Sequence, residues 1–194
     1  MTEEILEGFE LSRQQKHLWL SQQDSDAFVS SCELLIEGAL DREVFAKALR
    51  ELIARHEILR TSFRALSGMS VPVQVISEKV DGPNLLGVNL STDTRTLTIT
   101  QPSLIGDAES LIQLVMKLAR YYTTILADEE VSDEPVQYVD FSEWQHELWD
   151  SEDADTRKEY WRQQVAGANS TSRLILPLEQ TPAHDTNSFA PRAV

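Results

Sequence analysis

The chain has 194 residues and a formal net charge of −15, with 17 Lys and Arg against 32 Asp and Glu. Such a balance argues against nucleic acid and anionic membranes as partners, because both are bound through clustered Lys and Arg. The length supports one good hydrophobic core rather than two domains, and no apolar run approaches the length that spans a bilayer.

The single cysteine, Cys32, rules out an internal disulfide and reads as an inert core thiol in an apolar run. The acidic start, Met1-Thr2-Glu3-Glu4, has no signal-peptide pattern, and Met1 reads as a natural start. A cytoplasmic protein is expected.

Ser12 and Gln15 have capping-box spacing, so a helix should begin near Ser12, with Leu11, Gln15, Leu18 and Trp19 inward. Residues 28–37 alternate as a strand, with Phe28, Cys32, Leu34 and Ile36 on one face. Asp41 is a natural N-cap for a helix carrying Val44, Phe45, Ala48, Leu49, Leu52 and Ile53 at helical spacing. Residues 61–66 and 71–76 read as a hairpin, with Pro72 at the start or the edge of its second strand.

Residues 85–90 and 95–100 form a second hairpin, and a helix over 110–126 follows with Leu111, Leu114, Leu118, Tyr121 and Ile125 in register. The acidic run 128–134 ends before Pro135 and reads as a solvated loop. Two further helices, near 141–149 and 155–164, carry Trp144, Trp149 and Trp161. Tryptophans at this spacing are expected in a core, with a binding stripe as the alternative. The tail from 167 has no periodicity and reads as an extended linker or crossing segment.

This order predicts a two-layer α/β sandwich with a mixed, largely antiparallel sheet, and not a βαβαβ nucleotide fold. There is no glycine-rich phosphate loop, no Cys/His cluster with metal spacing, and no cofactor is expected. The chemistry-bearing stretch is Gln101-Pro102-Ser103-Leu104-Ile105-Gly106-Asp107-Ala108, at a strand-to-helix junction. It supplies one carboxylate and one hydroxyl, but no base.

Several stretches, in order, resemble one family. Leu11-Ser12-Arg13-Gln14-Gln15 with Trp19, then Arg55-His56-Glu57-Ile58-Leu59-Arg60-Thr61-Ser62-Phe63, are similar to the first two motifs of nonribosomal peptide synthetase condensation domains. Tyr138-Val139-Asp140-Phe141-Ser142-Glu143-Trp144-Gln145 resembles the helical stretch beyond that family's active site, and Leu176-Pro177-Leu178 to Phe189 the segment leading into its second lobe. The resemblance implies a single chloramphenicol-acetyltransferase-like lobe over 1–166 and a linker or crossing segment over 167–194. It implies that half of the family's two-lobed substrate tunnel is absent.

The family carries His-His-x-x-x-Asp-Gly at the junction, the second His being catalytic. Aligned on Asp107, those positions hold Pro102 and Ser103, and Ala108 replaces the Gly. Acyl transfer to an amine needs a group to take or steer a proton. An unassisted Ser103 hydroxyl is neither a useful base nor an activated nucleophile. A Ser–His–Asp set assembled in space, using His17, His56, His146 or His184, is the alternative. Asp107 reads as a base or metal ligand, or as a structural charge. The structural reading needs no missing partner and has two forms: a pair with Arg60, which the resemblance implies, or the N-cap of the next helix.

The expected function is therefore a non-catalytic partial condensation domain: a structural or interaction module packed against a neighbouring synthetase domain, most naturally adenylation. The alternatives are half of a divergent condensation enzyme, a carrier-protein docking module, or a platform for a trans-acting enzyme. Carriers are usually acidic, so this chain's charge would slow that encounter.

Overall fold

Ser12 and Gln15 form the reciprocal capping box that their spacing predicts. The computed structural model describes residues 8–22, 28–80, 85–91, 95–151 and 154–168. From its cap at Ser12, α1 runs Arg13–Ser21. Strand β1, Val29–Leu35, alternates as expected, with Cys32, Leu34 and Ile36 turned to the core. The Asp41 carboxylate accepts from the N–H groups of Glu43 and Val44 and opens α2, Arg42–Arg55. A short 3-10 turn, Glu57–Arg60, leads into β2, Thr61–Arg64, which pairs antiparallel with β3, Val73–Ile76. Pro72 precedes β3, where its missing N–H costs no ladder bond.

Strands β4, Gly87–Leu90, and β5, Thr96–Pro102, make the second hairpin. β5 continues beyond its predicted end because β1 pairs with it as far as Val29 opposite Pro102. Among the described residues the strands form two sheets, β1-β5-β4 and β2-β3, and every pairing is antiparallel. The expected, largely antiparallel pairing is present, distributed over these two sheets among the described residues.

Helix α3, Ala108–Leu126, begins two residues before its predicted start, because Asp107 is its cap. α2 and α3 pack on each other and on the inner face of β1-β5-β4. Ala48, Leu52, Leu97, Ile99, Leu111, Leu118 and Tyr121 make the centre of this core. Beyond the acidic loop lie α4, Tyr138–Asp150, and α5, Ala154–Ala168. α5 passes the expected lobe boundary at 166 by two residues, and the crossing-segment expectation for the rest of the tail lies outside the described residues.

Two expectations are corrected. The tryptophans of α4 and α5 are not core: Trp144, Trp149 and Trp161 are 54%, 38% and 62% exposed. Helical spacing places side chains on one face but does not say that anything covers it. The acidic run is also more than a solvated loop. Its Asp133 carboxylate meets Lys117 at 3.1 Å, Arg120 at 2.9 Å and the Tyr121 hydroxyl at 2.7 Å. Arg55 donates to the carbonyls of Val131 and Asp133. Local sequence shows the acids, but the cations that fix one of them come from α2 and α3.

Candidate functional site

The junction between β5 and α3 is held almost wholly by main-chain and amide contacts. Ser103 N–H donates to the Phe28 carbonyl at 2.8 Å, continuing the β1–β5 ladder by one rung. Ile105 N–H closes a turn onto the Pro102 carbonyl at 3.0 Å. The buried Gln101 side chain folds back over this turn and donates to the Asp107 carbonyl at 2.9 Å. A Cβ on Gly106 would stand 2.7 Å from the Gln101 amide nitrogen, so any larger residue there displaces the Gln101 side chain from its bond to Asp107.

A second layer pins the turn to α1 and β3. Gln15 donates from Nε2 to the Leu104 carbonyl at 3.1 Å and to Gln74 Oε1 at 3.0 Å. Gln74 in turn donates to the Glu10 carbonyl at 2.9 Å. All three glutamines, at 15, 74 and 101, are buried. Buried amides are tolerated only when paired: Gln15 and Gln74 are paired with each other, and Gln101 separately with the Asp107 carbonyl. The capping signal found Gln15 but not its second duty, and nothing local in the sequence marks Gln74.

Asp107 accepts from Ser110 N–H at 2.8 Å and from Ser110 Oγ at 2.6 Å. These two bonds, the hydroxyl's first, hold its carboxyl below the usual range although it is exposed. Arg60 does not reach it. Its guanidinium donates to the Ser77 carbonyl and pairs with Glu57 at 3.1 Å. The pair between Asp107 and Arg60 that the resemblance implies is therefore replaced by two local arrangements. A cap beside its helix and an i,i+3 pair each find a partner within one turn.

No histidine among the described residues hydrogen-bonds to the half-buried Ser103. His56 bonds Leu52 and Lys117, and His146 bonds the Leu11 carbonyl and lies 3.5 Å from Glu10. His17 is exposed on α1, and His184 lies outside the described residues. Among the described residues no His, Cys, Asp and Glu group could hold a metal ion, and no helix is long and apolar enough to cross a membrane. Pro102 and Ala108 add no titratable group, so the described junction carries one hydroxyl, Ser103, and one carboxylate, Asp107.

A lobe with two helices on a three-stranded antiparallel sheet, flanked by a capped helix and a short hairpin, matches about half of each of several solved domains. It superposes on the X-domain in its complex with OxyB from teicoplanin biosynthesis with a TM-score of 0.73, at 22% identity, covering 90% of this chain and 46% of that one. On the condensation domain of the Monacolin K polyketide synthase MokA the TM-score is 0.70 at 19% identity, covering 92% and 49%.

The condensation domain family profile matches residues 7–102 and 84–190, and the chain belongs to that family. Tyrocidine synthase 3 of Brevibacillus parabrevis is 27% identical over 190 residues, covering 82% of this chain and 3% of that protein. The chain thus spans about half of the solved domains and a small fraction of its curated relatives.

Proposed function

We propose that this chain is a non-catalytic partial condensation domain of a nonribosomal peptide synthetase. It acts as a structural or interaction module packed against a neighbouring domain, with adenylation the expected neighbour. The proposed lobe ends with α5, whose last residue is Ala168. The reading rests on one observation: Pro102 and Ser103 occupy the junction, and no base is hydrogen-bonded to Ser103 among the described residues. A proton must leave the attacking amine during acyl transfer, and neither Pro102 nor an unassisted Ser103 hydroxyl is a base that takes it.

The exposed apolar side chains support the interaction half of the reading. Leu35 on β1, Met116 on α3 and Trp161 on α5 are all largely open and are available for a contact. That an X-domain of this fold forms a complex with the separate protein OxyB supports the trans-acting variant of the same idea.

The test is amide formation between an acyl-carrier thioester and an amine acceptor. The chain is expected to give no product above the uncatalysed background. Product that disappears in Asp107→Ala would overturn the proposal.

A further inference from the structure

We infer that the outward face of α4 is a docking site for a helical partner segment that carries lysine or arginine beside apolar side chains. This deepens the interaction-module reading and rests on it.

The face is built around Trp144, which is 54% exposed. Successive helical residues turn by about 100°. Asp140 and Glu147, four back and three on, therefore fall about 40–60° to one side of Trp144. Phe141 and Leu148, three back and four on, fall about 40–60° to the other side. All four are exposed, and the Phe141 ring lies 5.9 Å from that of Trp144. Trp144 thus stands on a line between an acidic edge and an apolar edge. Glu143 and Asp150 extend the acidic edge, and α4 contains no Lys or Arg. Among the described residues none of these acids is in an ion pair.

A neighbouring side chain shows what such a ring attracts. Trp149, on the same helix, is met by the Arg13 guanidinium at 3.5 Å and by the Lys158 ammonium at 5.2 Å. Trp144 has a ring neighbour but no cation over it among the described residues, while carboxylates line its flank. A guanidinium or ammonium there would gain the ring face and an acid together.

Charge also decides the occupant. A second copy of this chain, at −15, would set like charges against the acidic edge. Residues 169–194 hold two arginines, Arg173 and Arg192, against two acids, Glu179 and Asp185, so they bring no net positive charge. Carrier domains, being acidic, are disfavoured on the same ground. What fits is a helix with its apolar stripe on Phe141 and Leu148 and a basic flank over Asp140 and Glu147.

The test uses the full chain and two synthetic helical peptides sharing one leucine stripe, one flanked by Lys and Arg, the other by Glu. Binding is read by peptide anisotropy. The basic peptide should bind, weaken in salt, and lose at least about tenfold affinity in Trp144→Ala and in the pair Asp140→Lys, Glu147→Lys. The charge-matched pair Glu129→Lys, Glu130→Lys, on the acidic loop, should bind like the parent. Equal binding of both peptides, or equal loss in the two Lys pairs, would overturn the site, leaving only generic attraction to an acidic protein. If a neighbouring synthetase domain binds the chain and Trp144→Ala does not weaken it, the module reading stands and the α4 assignment falls. Circular dichroism of each variant keeps unfolding separate from lost contact.

Discussion

Lys117 donates a hydrogen bond to His56 Nε2 across 2.9 Å, joining the middle of α3 to the end of α2. An ammonium group has donors only, so Nε2 must be the bare nitrogen. Nδ1 then carries the proton and donates to the Leu52 carbonyl at 2.9 Å. His56 is held neutral. Burial lowers its pKa from 6.5, and the Lys117 and Arg55 charges lower it further, against the Leu52 carbonyl and Asp133.

A histidine depressed in the fold makes stability depend on pH in one direction. As pH falls, the unfolded chain takes up the proton first. Stability should be full above the ordinary histidine value and fall as pH drops through it, by at most about 1.4 kcal/mol per pH unit for one proton. Urea unfolding of the parent and of His56→Gln between neutral and mildly acid pH measures this. The parent should lose more than the variant. Parallel profiles would mean that His56 is not the group responsible.

Asp133 works with the opposite chemistry. Its bonds to the Tyr121 hydroxyl and Lys117, with the Lys117 and Arg120 charges, pull its pKa from 3.8 to about 2. A depressed carboxylate stabilises above its unfolded value, and that contribution is lost as pH falls toward the folded value. Asp133→Asn should cost roughly 1–2 kcal/mol at neutral pH, allowing for solvent screening, and much less near the folded pKa. An equal difference between parent and variant at both pH values would contradict the assignment. Tyr121, pushed up to about 12 by burial and by Asp133, should stay protonated as pH rises past 10.

Arg60 and Asp107 should behave as strangers. Each has its own local partners, so Arg60→Ala and Asp107→Ala should add within about 0.3–0.5 kcal/mol. Asp107→Ala should cost about 0.5–2 kcal/mol as a lost cap, and Asp107→Asn should recover most of it, since asparagine caps equally well. A coupling energy well above that range would place the two residues in contact after all.

What the sequence made legible follows the reach of each signal. Caps act within one turn, so Ser12, Gln15 and Asp41 marked their helices. Asp107 offers the same cap signal, and the structure takes that form rather than the pair with Arg60. Alternation placed Cys32 and Leu34 inward, and Pro102 lies at the end of β5. What failed depended on distant partners: whether anything covers Trp144, which cations reach Asp133, and where a buried Gln74 finds its bonds. Pro102 and Ser103 were visible as substitutions at once. Their surroundings required the fold, because Phe28 and Gln15 come to the junction from elsewhere in the chain.

Gln15 gives the most exacting test of the junction. Its side chain satisfies three groups at once: Ser12 N–H at 3.0 Å, Gln74 Oε1 at 3.0 Å and the Leu104 carbonyl at 3.1 Å. Gln15→Leu keeps the volume but strands all three, and buried unsatisfied groups cost about 1–3 kcal/mol each before relaxation. A loss of about 2–4 kcal/mol is expected. Gln74→Leu should cost less. It leaves Gln15 bound to Leu104, and the Glu10 carbonyl still accepts from Ser142 Oγ at 3.0 Å. In the double variant the stranded Gln74 oxygen is gone, so the total should fall below the sum by roughly 1 kcal/mol. Hydrogen exchange adds a local readout, since Ile105 N–H closes the turn that Gln15 holds through Leu104. That amide should exchange faster in Gln15→Leu even after correction for global stability. Unchanged protection at Ile105 would mean that the turn is fixed by Gln101 and Gly106 alone, and that Gln15 serves only its own helix.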